Sequence, residues 1–244
     1  MTKELWTAVD EYIGDVLLGH DSVLEEAIRA CDEAGLPPIQ VSPPQGKFLN
    51  LLARIQHASR ILEIGTLGGY STIWLARALP HDGRLVTMEI DPKHAEVARA
   101  NIARAGLTNR VEVRLGDARE LLPELEKEQG AVFDLTFIDA DKPSIPAYFE
   151  SALRMSRSGS VILVDNVVRE GAVIQADSAD ASVQGVRRLN EMMSRDPRID
   201  ATVLQTVGVK GYDGLGAAGI VNLYRTMAEA TGTKNEERRT NNEE

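Results

Sequence analysis

From Arg60 onward the chain keeps one rhythm, and that rhythm limits its possible folds more than any other feature. Short β-rich runs at 61–64, 84–90, 111–115, 132–139 and 160–164 alternate with helical stretches at 72–79, 92–105, 119–128 and 147–155. A strand, a helix and the next strand close most readily into a right-handed crossover, so the pattern predicts a mostly parallel sheet with helices on both faces. Two later strand-like runs, 201–207 and 219–224, have only the glycine-rich stretch 208–216 between them and are expected to pair antiparallel. The fold class is therefore α/β.

Ahead of this pattern, Leu5, Val9, Tyr12, Ile13 and Val16 recur at helical spacing, and Asp21-Ser22 can cap a second helix. After the break at Gly35-Leu36-Pro37-Pro38, Pro43-Pro44-Gln45 opens a third helix through Phe48, Leu49, Leu51, Leu52 and Ile55. With 244 residues, 43% of them hydrophobic, the chain can bury one sizeable core. A single domain is expected over 1–227, made of N-terminal helices (1–58) and an α/β core (59–227). Residues 228–244 form a polar tail with nothing to bury.

The formal net charge of -10 repels phosphate backbones and anionic lipid surfaces, so neither nucleic acid nor membrane is an expected partner. No stretch has the length of a membrane span, and Lys3, Glu4, Asp10 and Glu11 stand where a signal peptide needs an apolar block. A cytoplasmic location is expected. The one cysteine, Cys31, cannot close an internal disulfide and falls on the apolar face of a helix, as a core residue.

In an open parallel sheet, ligands bind outside the carboxyl ends of the strands, where strand order reverses. The first strand ends in Glu63-Ile64-Gly65-Thr66-Leu67-Gly68-Gly69-Tyr70-Ser71-Thr72, a glycine-dense turn running into a helix. Its spacing is neither the G-x-G-x-x-G of a dinucleotide fold nor a G-x-x-x-x-G-K-[ST] phosphate loop. Glu63 suits an amine-bearing ligand, Glu89 can accept from both hydroxyls of a ribose, and Asp117 is placed to meet an adenine edge. Ribose, adenine and a cationic amino-acid end together describe S-adenosylmethionine.

The fourth strand runs into Phe137-Ile138-Asp139-Ala140-Asp141-Lys142, and the fifth ends in Asp165-Asn166. Two carboxylates and an amide oxygen at neighbouring strand ends make a hard, all-oxygen donor set suited to Mg²⁺, Mn²⁺ or Ca²⁺. The four histidines show no metal-ligand spacing, which argues against zinc. Two rival readings share part of this pattern. An NAD-type oxidoreductase would also hold a ribose with Glu89 but needs the missing phosphate turn. A non-catalytic nucleoside-binding module would have no use for the cation donors.

The segments Glu63-Ile64-Gly65-Thr66, Phe137-Ile138-Asp139-Ala140-Asp141-Lys142 and Val164-Asp165-Asn166-Val167 resemble, in order, the metal-dependent class I O-methyltransferases of the caffeoyl-CoA and catechol type. The resemblance runs from about Val41 to Tyr224. It implies a seven-stranded Rossmann-like sheet with the last strand antiparallel, S-adenosylmethionine as methyl donor, a divalent cation, a phenolic small-molecule acceptor and a homodimer. It also implies site residues. Asp139, Asp165 and Asn166 would hold the cation, with Mg²⁺ the first expectation, and the catalytic residues would be Asp139 and Lys142. The donor would touch Val41, Glu63, Gly65, Thr66, Tyr70, Ser71, Glu89, Asp117, Ala118 and Asp139. Arg169 and Tyr212 are candidate acceptor contacts. Glu170 stands where plant members use a substrate-contacting amide, and the plants' recognition insertions have no counterpart, so caffeoyl-CoA itself is not carried over.

Overall fold

The computed structural model describes residues 2–221. Seven strands run in chain order as β1 (Arg60–Ile64), β2 (Arg84–Glu89), β3 (Val111–Leu115), β4 (Phe133–Ile138), β5 (Ser156–Asp165), β6 (Ile199–Gly208) and β7 (Gly211–Ile220). They form one sheet in the order β3-β2-β1-β4-β5-β7-β6. β1 pairs in parallel with β2 on one side and β4 on the other. Strand order reverses there, leaving a crevice above the carboxyl ends of β1 and β4. All six residues of β4 are buried, as a central parallel strand covered on both faces requires.

Eight α-helices are described: α1 (Lys3–Ile13), α2 (Ser22–Glu33), α3 (Pro43–Ile55), α4 (Tyr70–Ala76), α5 (Pro92–Arg104), α6 (Ala118–Leu125), α7 (Ile145–Arg154) and α8 (Ala181–Arg195). On one face of the sheet α2, α3, α4 and α5 pack over Ile61, Leu85, Leu135 and Phe137. On the other, α6, α7 and α8 cover Leu62, Ile64, Val86 and Ile138. Local chemistry sets the helix starts. Asp21, Asp91, Asp117 and Asp180 each accept a first-turn backbone N–H, and Pro43 and Pro92 occupy first-turn positions where no N–H is needed.

Three features differ from the sequence reading. The glycine-rich stretch is strand β7 itself, and the hairpin turns at Val209-Lys210. Glycine has low strand propensity, but a Cβ at Gly214 would lie 2.4 Å from Val168 Cγ2 and 2.8 Å from the Leu204 carbonyl oxygen. The close approach of the segment after β5 thus demands glycine in the strand. Helix α8 is not evident in the sequence, because Gly185 and polar neighbours obscure its buried stripe of Val183, Val186, Leu189 and Met193. Helix α1 keeps its helical spacing yet buries no residue.

β7 is antiparallel to both β5 and β6. The strand expected to reach Tyr224, and the polar tail 228–244, extend outside the described residues. Among the described residues, no helix is long and apolar enough to cross a membrane.

Candidate active site

A cavity of about 650 Å³ opens above the switch point. The turn after β1 shapes its floor. Gly65 and Gly69 take φ of 97° and 82°, and a Cβ at Gly65 would fall 2.0 Å from the Asp139 carbonyl oxygen. Glycine is therefore needed for β1 and β4 to end side by side. Glu89 fastens the turn from the next strand: its Oε2 accepts the Thr66 and Leu67 N–H groups at 3.2 and 2.7 Å.

Of the expected donor contacts, Val41, Gly65, Thr66, Tyr70, Ser71, Glu89, Asp117, Ala118 and Asp139 line the cavity. Glu63 does not. It is fully buried behind the wall, where its Oε1 accepts the Ser71 hydroxyl at 2.7 Å and its Oε2 accepts the Thr72 hydroxyl. Burial pushes its carboxyl up to about 7, against the pull of those hydroxyls. Asp117 serves twice, capping α6 through the Arg119 N–H at 2.8 Å while facing the cavity.

At the other end, Ile138 of β4 is in register with Val164 of β5, so Asp139 and Asp165 leave adjacent parallel strands together. Neighbouring strands lie about 4.8 Å apart, which puts both carboxylates over one spot. Lys142 is 8% exposed and places Nζ 3.1 Å from Asp139 Oδ1. Asp165 Oδ1 accepts the Asn166 N–H at 2.8 Å, and Oδ2 accepts Gln45 Nε2 at 2.7 Å. Burial, then the charge of Asp139, pushes the Asp165 carboxyl up to about 7. Asn166 has a left-handed φ of 57°, uncommon outside glycine, and reaches the cavity wall.

No group of three or more His, Cys, Asp or Glu suited to a metal occurs among the described residues. Two carboxylates on neighbouring strand ends plus the Asn166 amide fit a hard divalent cation that keeps water or substrate in its remaining positions.

His94, Arg119 and Tyr148 carry no signal in the sequence, and they face the cavity together with Asp141 of the segment that ends β4. Asp141 Oδ1 accepts the Tyr148 hydroxyl at 2.6 Å and its Oδ2 the Ser144 N–H at 3.2 Å, which fixes the short turn carrying Lys142. From the opposite side α8 presses on the same turn. A Cβ at Gly185 would lie 2.1 Å from the Lys142 carbonyl oxygen. Arg169 and Tyr212 are not on the wall. Arg169, at φ 55°, donates its N–H to Asp213 Oδ1 at 2.8 Å, and Tyr212 donates its hydroxyl to Gln205.

Fold and cavity together define a Rossmann-like, nucleoside-binding enzyme with a cluster of oxygen donors beside its ligand pocket. The chain belongs to the O-methyltransferase family, whose profile matches residues 17–214. It is 53% identical over 218 residues to the catechol O-methyltransferase of Niastella koreensis, covering 89% of this chain and 99% of that protein. Its fold is similar to that of the O-methyltransferase from Bacillus cereus in complex with SAH, with a TM-score of 0.89, 57% identity, and 90% and 100% of the two chains covered. It is also similar to the O-methyltransferase TomG from Streptomyces achromogenes, involved in tomaymycin synthesis and solved with SAM. There the TM-score is 0.88, the identity 51%, and the coverage 91% and 100%.

Proposed function

We propose that the protein transfers a methyl group from S-adenosylmethionine to one hydroxyl of a catechol-like, vicinal dihydroxyphenyl acceptor, with the help of a divalent cation. The observation that carries this reading is the placing of Asp139, Lys142, Asp165 and Asn166 at the ends of β4 and β5, against the pocket that starts at Gly65. The relative named as a catechol O-methyltransferase supports the acceptor class.

In this reading Glu89 and Asp117 hold the ribose and the adenine edge, and the glycine turn lets backbone meet the amino-acid end. Glu63 acts one layer back by fixing Ser71 at the pocket wall. A divalent cation, with Mg²⁺ favoured by the all-oxygen donors, would be held by Asp139, Asp165 and Asn166 and would supply Lewis acidity that favours the ionised hydroxyl. Lys142, in its amine form, takes the hydroxyl proton at Nζ. The acceptor oxygen then forms its bond to the methyl carbon as the carbon–sulfur bond breaks. The electron pair stays on sulfur, leaving S-adenosylhomocysteine. Side chains otherwise align oxygen and methyl, an effect worth up to ~7–11 kcal/mol.

A second copy of the chain is the proposed partner, supported by exposed Leu5, Val9 and Tyr12 on α1 and Phe48, Leu51 and Ile55 on α3. A cytoplasmic setting agrees with the free thiol of Cys31. The test is S-adenosylhomocysteine formation with a catechol, with and without EDTA. Activity should vanish with the chelator and return with Mg²⁺. Turnover indifferent to EDTA would remove the cation from the reaction, and no product with any catechol would favour a binding module.

A further inference from the structure

The first turn of α3 reaches the cation end of the site from the N-terminal part of the chain. Ser42 caps this helix, its side chain accepting the Gln45 N–H at 3.4 Å, and the Gln45 side chain crosses to Asp165 Oδ2 at 2.7 Å. The Asn166 N–H takes the other oxygen of the same carboxylate, Oδ1, at 2.8 Å. Asp165 is 6% exposed, and Lys142 Nζ pairs with Asp139 rather than with Asp165. Two uncharged donors, one on each oxygen, thus define the plane of the Asp165 carboxylate. Each carboxylate oxygen has two lone-pair positions, so both oxygens keep one for a cation.

We propose that Gln45 is a positioning residue for the divalent cation, acting by fixing the carboxylate plane of Asp165. The inference rests on the cation reading above and deepens it. A neutral amide suits the task because it donates a hydrogen bond without cancelling the negative charge that attracts the ion; a lysine here would hold the carboxylate and repel the cation. Hydrogen-bond partners that orient a metal-ligating group typically change metal affinity by about 10–100-fold when removed. The same stretch of chain forms part of the donor pocket wall through Ile39, Gln40 and Val41, so one segment serves both halves of the site.

The experiment is calorimetric titration of the full chain with MnCl₂, and separately with S-adenosylhomocysteine, for the wild type and for Gln45→Met. Methionine keeps the length of the side chain and removes both N–H donors. The expected result is Mn²⁺ binding weaker by about 10–100-fold with unchanged S-adenosylhomocysteine binding. Added to Asp165→Asn, the same substitution should have no further effect on Mn²⁺, because Gln45 acts through that carboxylate. Equal Mn²⁺ affinity in Gln45→Met and wild type overturns this inference and leaves the cation reading standing. A parallel loss of both affinities marks a general structural role and also overturns it. A wild-type chain that takes up no Mn²⁺ overturns the cation reading and this inference together.

Discussion

Lys142 is fixed by three separate contacts: Asp139 on its Nζ, Asp141 bracing its turn, and the backbone of Gly185 against its carbonyl. In the proposed reaction, a proton acceptor fixed this way would contribute to the rate and little to donor binding. Replacing it with alanine should lower kcat by about 10²–10⁴-fold while S-adenosylhomocysteine affinity stays the same. Wild-type turnover in Lys142→Ala would remove it from the mechanism. The residues that carry charge at strand ends were legible in the sequence, since a carboxylate that closes an apolar run stands out. Gln45 was not, because it reaches the site only through the packing of a helix distant in sequence, and Tyr148 was not, because an aromatic on an amphipathic helix reads as core. Arg169 and Tyr212 stand out by residue type alone; neither lines the cavity, the Arg169 backbone N–H donates to Asp213, and the Tyr212 hydroxyl donates to Gln205.

Between elements, Asp134 near the start of β4 ties three strands at the amino end of the sheet. Its Oδ2 accepts the N–H groups of Ser59 and Arg60 at 2.8 and 2.9 Å and the Ser59 hydroxyl at 2.9 Å, while Oδ1 pairs with Arg157 at 2.5 Å. Burial alone would raise its pKa, but these donors and the guanidinium bring it below the usual carboxylate value. A carboxyl with a depressed folded pKa adds stability that is present above its unfolded pKa and is lost as pH falls through the folded one. Asp134→Ala should therefore cost about 1–3 kcal/mol near neutral pH, with the gap to wild type closing in acid. Urea melts at pH 7 and pH 3 read this, and an equal gap at both would contradict the assignment. The five parallel strands were readable because burial on both faces makes apolar runs. β7 is hidden because Gly211, Gly214, Gly216 and Gly219 lower its strand propensity, and the close approach that requires glycine at Gly214 leaves no mark in the periodicity.

At the scale of the whole molecule, composition foretold one α/β core and an acidic surface, but not how the chain's distant parts meet. β6 runs parallel to the central strands, so the tip of its hairpin lies at the sheet edge that carries the active site. There the Val209 N–H donates to Asp10 of α1 at 2.8 Å, and Lys210 Nζ donates to the Pro38 carbonyl at 2.7 Å. Pro38 immediately precedes Ile39-Gln40-Val41 on the wall of the donor pocket. Lys210→Ala should speed release of S-adenosylhomocysteine in stopped-flow experiments without lowering Tm, and an unchanged off-rate would sever the link. Faster release would make the β6–β7 hairpin a clasp: how long spent donor stays aboard would depend on a lysine grip far along the sequence from Asp139 and Lys142, and turnover could be tuned there without disturbing the chemistry.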